Sequence, residues 1–171
     1  MEQEESNHWS GMNSVELLMM EHAALRLHFR LAREVNSDSI YEVEEFVRKC
    51  HARVEDEVIF PKLRESGNEK LEQVLPRLEA DHKLIVTIGD QIKARTAQGD
   101  IETLRKRILL YMSTVESHNS SEESLIFQYW NVGESEERDA KSRARKIIDE
   151  FGLNRYFAIT GISEKLLGSV Q

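Results

Sequence analysis

The chain has 171 residues, enough for one domain and too few for two ordinary ones. Hydrophobic residues make up 40% and charged residues 32%, which excludes a disordered chain, and 8 Gly with 2 Pro exclude collagen-like or linker-dominated ones. With 23 basic against 31 acidic residues the formal net charge is −8, so phosphate backbones are repelled and nucleic acid is not an expected partner.

The single cysteine, Cys50, excludes an internal disulfide and a CxxC metal site, and it suits a reducing, cytoplasmic compartment. The opening MEQEESNHWSGMNS is acidic and polar, unlike a secretory leader. No apolar run approaches the length of a membrane span, so no membrane is expected. Phosphate-binding Gly-rich loops, nucleophile motifs and nucleotide fingerprints are also missing from the sequence.

The elements, in chain order, are helices. Residues 1–12, with His8, are expected to form a flexible arm. The first helix begins at Asn13, where Asn13-Ser14-Val15-Glu16 has the form of a capping box, and runs to about Asn36. The second begins at Ser39 and ends near Ser66-Gly67-Asn68. The third runs from about Asn68 to Gln98-Gly99, with a kink or late start expected at Pro76. The fourth starts at Asp100 and ends near Asn131-Val132-Gly133. Short connections predict antiparallel neighbours, hence an all-α, up-down-up-down four-helix bundle over 13–131. Residues 132–171 are expected to be a C-terminal helical extension. Its first helix is capped by Gly152, and Tyr156, Phe157, Ile159, Ile162, Leu166 and Leu167 then pack on the bundle or on a partner subunit. The second arrangement would make a homodimer.

The core stripes carry polar residues. They are Val15, Leu18, His22, Leu25, Phe29, Ala32 in the first helix, and Leu71, Leu75, Leu78, His82, Ile85, Gly89, Ile92 in the third. In the fourth the stripe is Leu104, Ile108, Tyr111, Val115, His118, Glu122, Leu125, Tyr129. The second is less regular: Val43, Val47, His51, then Val54 or Glu55, then Val58. His51 and Glu55 are four residues apart, as are His118 and Glu122. Such pairs share a helix face about 6 Å apart along the axis and can present an imidazole nitrogen and a carboxylate to one point.

A lone HxxxE is ordinarily a surface hydrogen bond. Two of them, with His22 and His82 on further core stripes, would bury carboxylates at a cost of several kcal/mol unless a cation joins them. The six side chains His22, His51, Glu55, His82, His118 and Glu122 are therefore the candidate metal ligands. Mixed imidazole and carboxylate donors favour iron, manganese or zinc over calcium. Six exceed what one tetrahedral zinc needs, whereas two metals bridged by Glu55 and Glu122 would use them all. His28 lies off the face of His22. Glu21, Asp56, Glu57 and Glu123 are rotated off the stripes and are for the most part expected to be solvated. Glu79, three residues before His82, is a candidate ligand or outer partner. Cys50, Tyr111 and Tyr129 are expected to fill space.

The order H…HxxxE…H…HxxxE, with His22 in LMMEHAALRLHF, HARVEDEVIFPKL, His82 in LEADHKLI and HNSSEESLIF, resembles the hemerythrin-like family, the HHE cation-binding domains. The resemblance covers about 13–131. It implies a non-haem di-iron centre with an oxo or hydroxo bridge, the four histidines as terminal ligands, and Glu55 and Glu122 as bridging carboxylates. Two departures matter. Oxygen-carrying hemerythrins have a fifth histidine where this chain has Val86, and their last carboxylate is an aspartate five residues after the final histidine. The missing histidine argues against reversible oxygen carriage.

The resemblance thus implies a protein that binds or senses oxygen, nitric oxide, peroxide or iron. The alternative is a di-iron enzyme: peroxidase-like, nitric-oxide-reducing, or repairing iron–sulfur clusters by iron donation. Relatives of the repair type usually carry an N-terminal segment with a cysteine, which this sequence lacks. A third reading has the metal merely holding the bundle together.

Overall fold

The computed structural model describes residues 12–33 and 38–167. The expected arm at 1–12 (Met12 apart), His8 within it, and the expected end of the first helix near Asn36 lie outside the described residues. The elements formed by the described residues are all helices, with no strand among them.

Helix α1 spans Ser14–Ala32. Its capping box forms as its sequence predicts: the Asn13 side chain accepts from the Glu16 backbone at 2.9 Å, and Glu16 accepts from the Asn13 backbone at 2.6 Å. Helix α3 spans Glu69–Gln98, capped by the Asn68 side chain and closed by Gly99 at φ 71°, a left-handed conformation that glycine adopts without strain. It starts at Glu69 and continues through Pro76, so the expected late start is corrected. Proline removes one backbone donor, but buried Leu71, Leu75 and Leu78 hold the flanking turns in the core.

Helix α2 covers 38–65 and contains two wide turns, Val47–His51 and Glu55–Ile59. In these the Ala52 N–H reaches the Val47 carbonyl and the Phe60 N–H reaches Glu55, five residues back. In a regular α-helix each step of four residues drifts about 40° around the axis. Wider turns remove that drift, so Val43, Val47, His51, Glu55 and Ile59 all stay buried. This accounts for the irregular stripe in the sequence: α2 keeps an unbroken spacing of four.

Helix α4 spans Ile101–Leu125 and is capped by Asp100. It ends earlier than expected, at Ile126 (φ −125°), and a 3-10 turn follows at Phe127–Tyr129. The early exit turns Ile126 and Phe127 into the core and leaves Leu125 exposed, so the expected core position of Leu125 is corrected. Helices α5 (Glu134–Phe151), α6 (Leu153–Thr160) and α7 (Glu164–Leu167) follow.

Side-chain contacts give the directions. Arg48 meets Asp90 at 2.7 Å, Asp56 meets His82 at 2.9 Å and Arg64 meets Glu79 at 2.6 Å, so α2 and α3 run in opposite order. Arg26 meets Glu123 at 2.6 Å and Arg33 meets Glu116 at 3.1 Å, which does the same for α1 and α4. Helix α5 lies against α2 through Arg53–Glu150 and Lys62–Glu136, both at 2.5 Å. No helix among the described residues is long and apolar enough to cross a membrane.

Gly89 sits where α3 approaches α2. A Cβ there would lie 2.5 Å from Glu44 Oε1 and 2.9 Å from its Cγ. Glu44 is buried and bonded to Arg48 and Lys93, each at 2.6 Å, so it cannot swing away freely. Gly89→Ala should therefore destabilise the fold by about 1–3 kcal/mol, although helix propensity alone favours alanine by about 1 kcal/mol. Urea denaturation decides between the two; a stabilised variant would mean that Glu44 relocates without cost.

Candidate metal centre

All six side chains singled out in the sequence meet in one place. His22 comes from α1, His51 and Glu55 from α2, His82 from α3, and His118 and Glu122 from α4. They fall into two groups, His22-His51-Glu55-Glu122 and Glu55-His82-His118-Glu122, with the ligand atoms of each group within 4.8 Å of one another. All are buried.

The histidines pair tip to tip. Nε2 of His22 lies 3.1 Å from Nε2 of His51, and Nε2 of His82 lies 2.8 Å from Nε2 of His118. The carboxylates span the two pairs. Glu55 Oε1 is 3.1 Å from His51 and 3.6 Å from His22, while its Oε2 is 3.1 Å from His82. Glu122 Oε2 is 3.4 Å from His22 and its Oε1 is 3.3 Å from His118. None of these four oxygens makes a hydrogen bond among the described residues. Buried acceptors in native proteins are otherwise nearly always satisfied. The donor set therefore fits a cation within each group.

The far sides of the imidazoles are held by a second set of acids. His22 Nδ1 meets Glu123 at 2.9 Å, His51 Nδ1 meets Glu21 at 2.6 Å and His82 Nδ1 meets Asp56 at 2.9 Å. His118 Nδ1 lies 3.5 Å from Asp81, an ion-pair contact too long for a good hydrogen bond. An ionised carboxylate can only accept, so each bonded Nδ1 carries the proton and its Nε2 offers a lone pair inward. Metal-ligating histidines are commonly oriented in this way.

These acids form a cycle. Glu21 of α1 bonds the histidine of α2, Asp56 of α2 that of α3 and Glu123 of α4 that of α1, while Asp81 of α3 faces that of α4 at the longer 3.5 Å. Of the acids expected to be for the most part solvated, Asp56 and Glu57 are exposed and Glu123 is partly so, while the expectation is corrected for Glu21, which is buried; Glu21, Asp56 and Glu123 also each bond a ligand histidine. The signal was present: each stands beside an inward-facing ligand in sequence, as Glu21-His22, Glu55-Asp56, Asp81-His82 and Glu122-Glu123. A step of one residue turns a side chain about 100° around the helix, away from the core and towards the neighbouring helix. Glu79, by contrast, pairs with Arg64 at 2.6 Å and belongs to neither group.

Aromatic rings cover the imidazoles. Phe60 stacks on His82 and Phe127 on His22, each with centroids 5.6 Å apart, and Phe46 lies 6.0 Å from His51. Phe127 reaches His22 because α4 ends early. An open pocket of about 530 Å³ between α2 and α3 touches His82, with Val47, Ala52 and Val86 among its apolar walls. Cys50 is buried and its thiol is pushed up by burial, so it acts as packing. The Tyr111 hydroxyl is buried with no hydrogen-bond partner among the described residues and is likewise pushed up by burial. His28 bonds the Ile159 carbonyl at 2.7 Å, away from the centre.

Residues 13–130 match the hemerythrin HHE cation-binding domain family. The chain belongs to that family. Neither the curated proteins nor the solved structures compared with it give a match. The match spans α1 to the turn after α4, so all six inward side chains and all four outer acids lie inside the hemerythrin domain, while α5 to α7 lie beyond it. Membership implies that the centre binds a metal cation, typically iron.

Without a cation the surrounding carboxylates draw His22, His51 and His82 towards their protonated form. Burial pushes His51 down, but the charge of Glu55 and the Glu21 bond override it and raise it well above its ordinary value. Burial likewise opposes His82, yet Asp56 and Glu55 lift it from 6.5 to about 10. A raised histidine stabilises the fold fully below its unfolded value and ceases to do so as pH rises through its folded value. The metal-free protein should therefore melt at progressively lower temperature between pH 6.5 and about 10, and the metal-loaded protein should not, because the cation replaces those protons. A flat metal-free profile across that window would contradict a proton-filled cage.

Proposed function

We propose that this chain is a di-iron protein whose centre binds or senses a small molecule: oxygen, nitric oxide or peroxide. Helices α1 to α4 act as an up-down-up-down four-helix bundle over 13–131, with 132–171 as a helical extension. His22 and His51 would hold one iron, His82 and His118 the other, and Glu55 and Glu122 would bridge them through an oxygen each. The observation that carries this reading is the spanning geometry of the two carboxylates, with one oxygen turned to each histidine pair and no other partner for any of the four.

Four donors per cation leave positions open for a small ligand, and the mixed nitrogen and oxygen set suits iron. Iron would supply ligand binding coupled to a change of oxidation state. The protein's own part is to keep Nε2 of His22, His51 and His82 turned to the cation as a lone pair through Glu123, Glu21 and Asp56, and to exclude bulk water with Phe46, Phe60 and Phe127. The pocket beside His82 favours access from the α2–α3 side, where Val86 contributes no ligand. A cytoplasmic location accords with the lone reduced cysteine.

Metal analysis with a visible spectrum tests the assignment, since an oxo-bridged ferric pair absorbs in the near-ultraviolet and zinc is colourless. Anaerobic reduction followed by mixing with oxygen, nitric oxide or peroxide separates the two modes of action. A stable stoichiometric adduct is expected for a binder, and repeated turnover with reductant would make the protein an enzyme. Glu55→Ala and Glu122→Ala should each lower metal content towards one ion per chain or none. Undiminished content in both variants would remove these residues from the bridging role.

A further inference from the structure

The four outer acids are not alike. The side chains of Asp56, Asp81 and Glu123 are 43%, 44% and 25% exposed, so water can complete their hydrogen bonds. Glu21 is 0% exposed. Its Oε2 accepts from His51 Nδ1 at 2.6 Å, and its Oε1 is likewise shut off from water. That oxygen accepts a hydrogen bond from the Tyr156 hydroxyl at 2.5 Å. Tyr156 is itself fully buried and packs its ring edge-on against Phe46, the same ring that lies beside His51.

Tyr156 belongs to α6, outside the residues that match the hemerythrin domain. Helix α6 is fastened on both sides of it. Arg155 binds Glu42 at 3.0 Å and Glu45 at 2.5 Å, and the Ile159 carbonyl accepts from His28 at 2.7 Å. The hydroxyl is thus delivered to Glu21 from a distant part of the chain, 135 residues away in sequence. A buried carboxylate with a vacant oxygen is costly, and the cheapest relief is rotation away from its other partner. Here that partner is His51.

The geometry points to Tyr156 as a positioning residue of the metal centre. It fixes the Glu21 carboxylate, which orients His51 towards the cation, and so makes the C-terminal extension a working part of the site. This inference rests on the metal reading of the centre, and its test separates the two. Cobalt(II) serves as the probe in the full-length protein, with affinity measured against a chelator and coordination followed in the visible ligand-field bands.

Tyr156→Phe removes one oxygen and keeps the ring against Phe46. It should weaken cobalt binding about tenfold, the lower range for loss of an outer partner, and displace the ligand-field bands. Glu21→Gln should weaken binding too. In the Glu21→Gln background the tyrosine substitution should add little, because a residue that acts only through Glu21 has nothing left to act on. Phe157→Ser, at an exposed neighbour on the same helix, should leave affinity and spectrum unchanged.

Tight wild-type binding with an unaltered Tyr156→Phe variant would overturn the inference alone. Equal losses with and without Glu21 would overturn it as well, since the effect would then be general packing. A wild-type chain that takes up no cobalt would overturn the metal reading and this inference with it.

Discussion

Everything in the core is arranged around carboxylate oxygens that have been taken out of water and given no proton donor of their own. Removing an ion from water costs several kcal/mol even after the protein relaxes around it. Glu55 and Glu122 place four such oxygens side by side among imidazoles. Hydrophobic packing cannot offset that, because the surrounding Leu, Val and Phe side chains offer no compensating charge. A cation can, and the free energy of binding one is of order 10 kcal/mol for structural metal sites. On this view folding and metal loading are one balance. Four helices can each place a histidine in the core because the metal brings the charges together.

The second requirement is orientation. An imidazole has two nitrogens, and here Nε2 faces inward on every helix. The cycle of acids meets this need with the least machinery. Each helix sends a histidine inward and an acid sideways to its neighbour, the acid adjoining the histidine in α1 and α3 and the inward glutamate in α2 and α4. The two wide turns of α2 serve the same end, since they keep Val47 and Ile59 on the buried face that carries His51 and Glu55, where a regular helix would let the longer stripe drift. Such turns cost hydrogen-bond quality and recur at functional sites. Their position on either side of the His51–Glu55 pair fits that pattern.

The extension shows how a family site can acquire a local character. Relative to its outer counterparts, Glu21 is sealed from solvent, and α6 supplies the hydroxyl that bonds its second oxygen. Burial makes its hydrogen bonds stronger and also leaves it dependent on every partner. A change in how the extension sits would thus be felt at His51, whereas the exposed acids on the other helices can exchange one water for another.

The sequence by itself determined the helices, their caps and the six inward polar residues, because those features are local. Asn13, Asn68 and Asp100 cap from within a few residues, and a core stripe is written in a single helix's spacing. It also carried the family, since the two HxxxE pairs and the two further histidines appear in order. The tertiary structure alone decided which acid holds which histidine, because each such pair joins two helices and depends on their relative rotation. It decided that α4 ends at Leu125 so that Phe127 can cover His22, a gain no local propensity contains. Tyr156 is the extreme case: nothing near it in sequence distinguishes it from a packing tyrosine, and only folding brings its hydroxyl to Glu21.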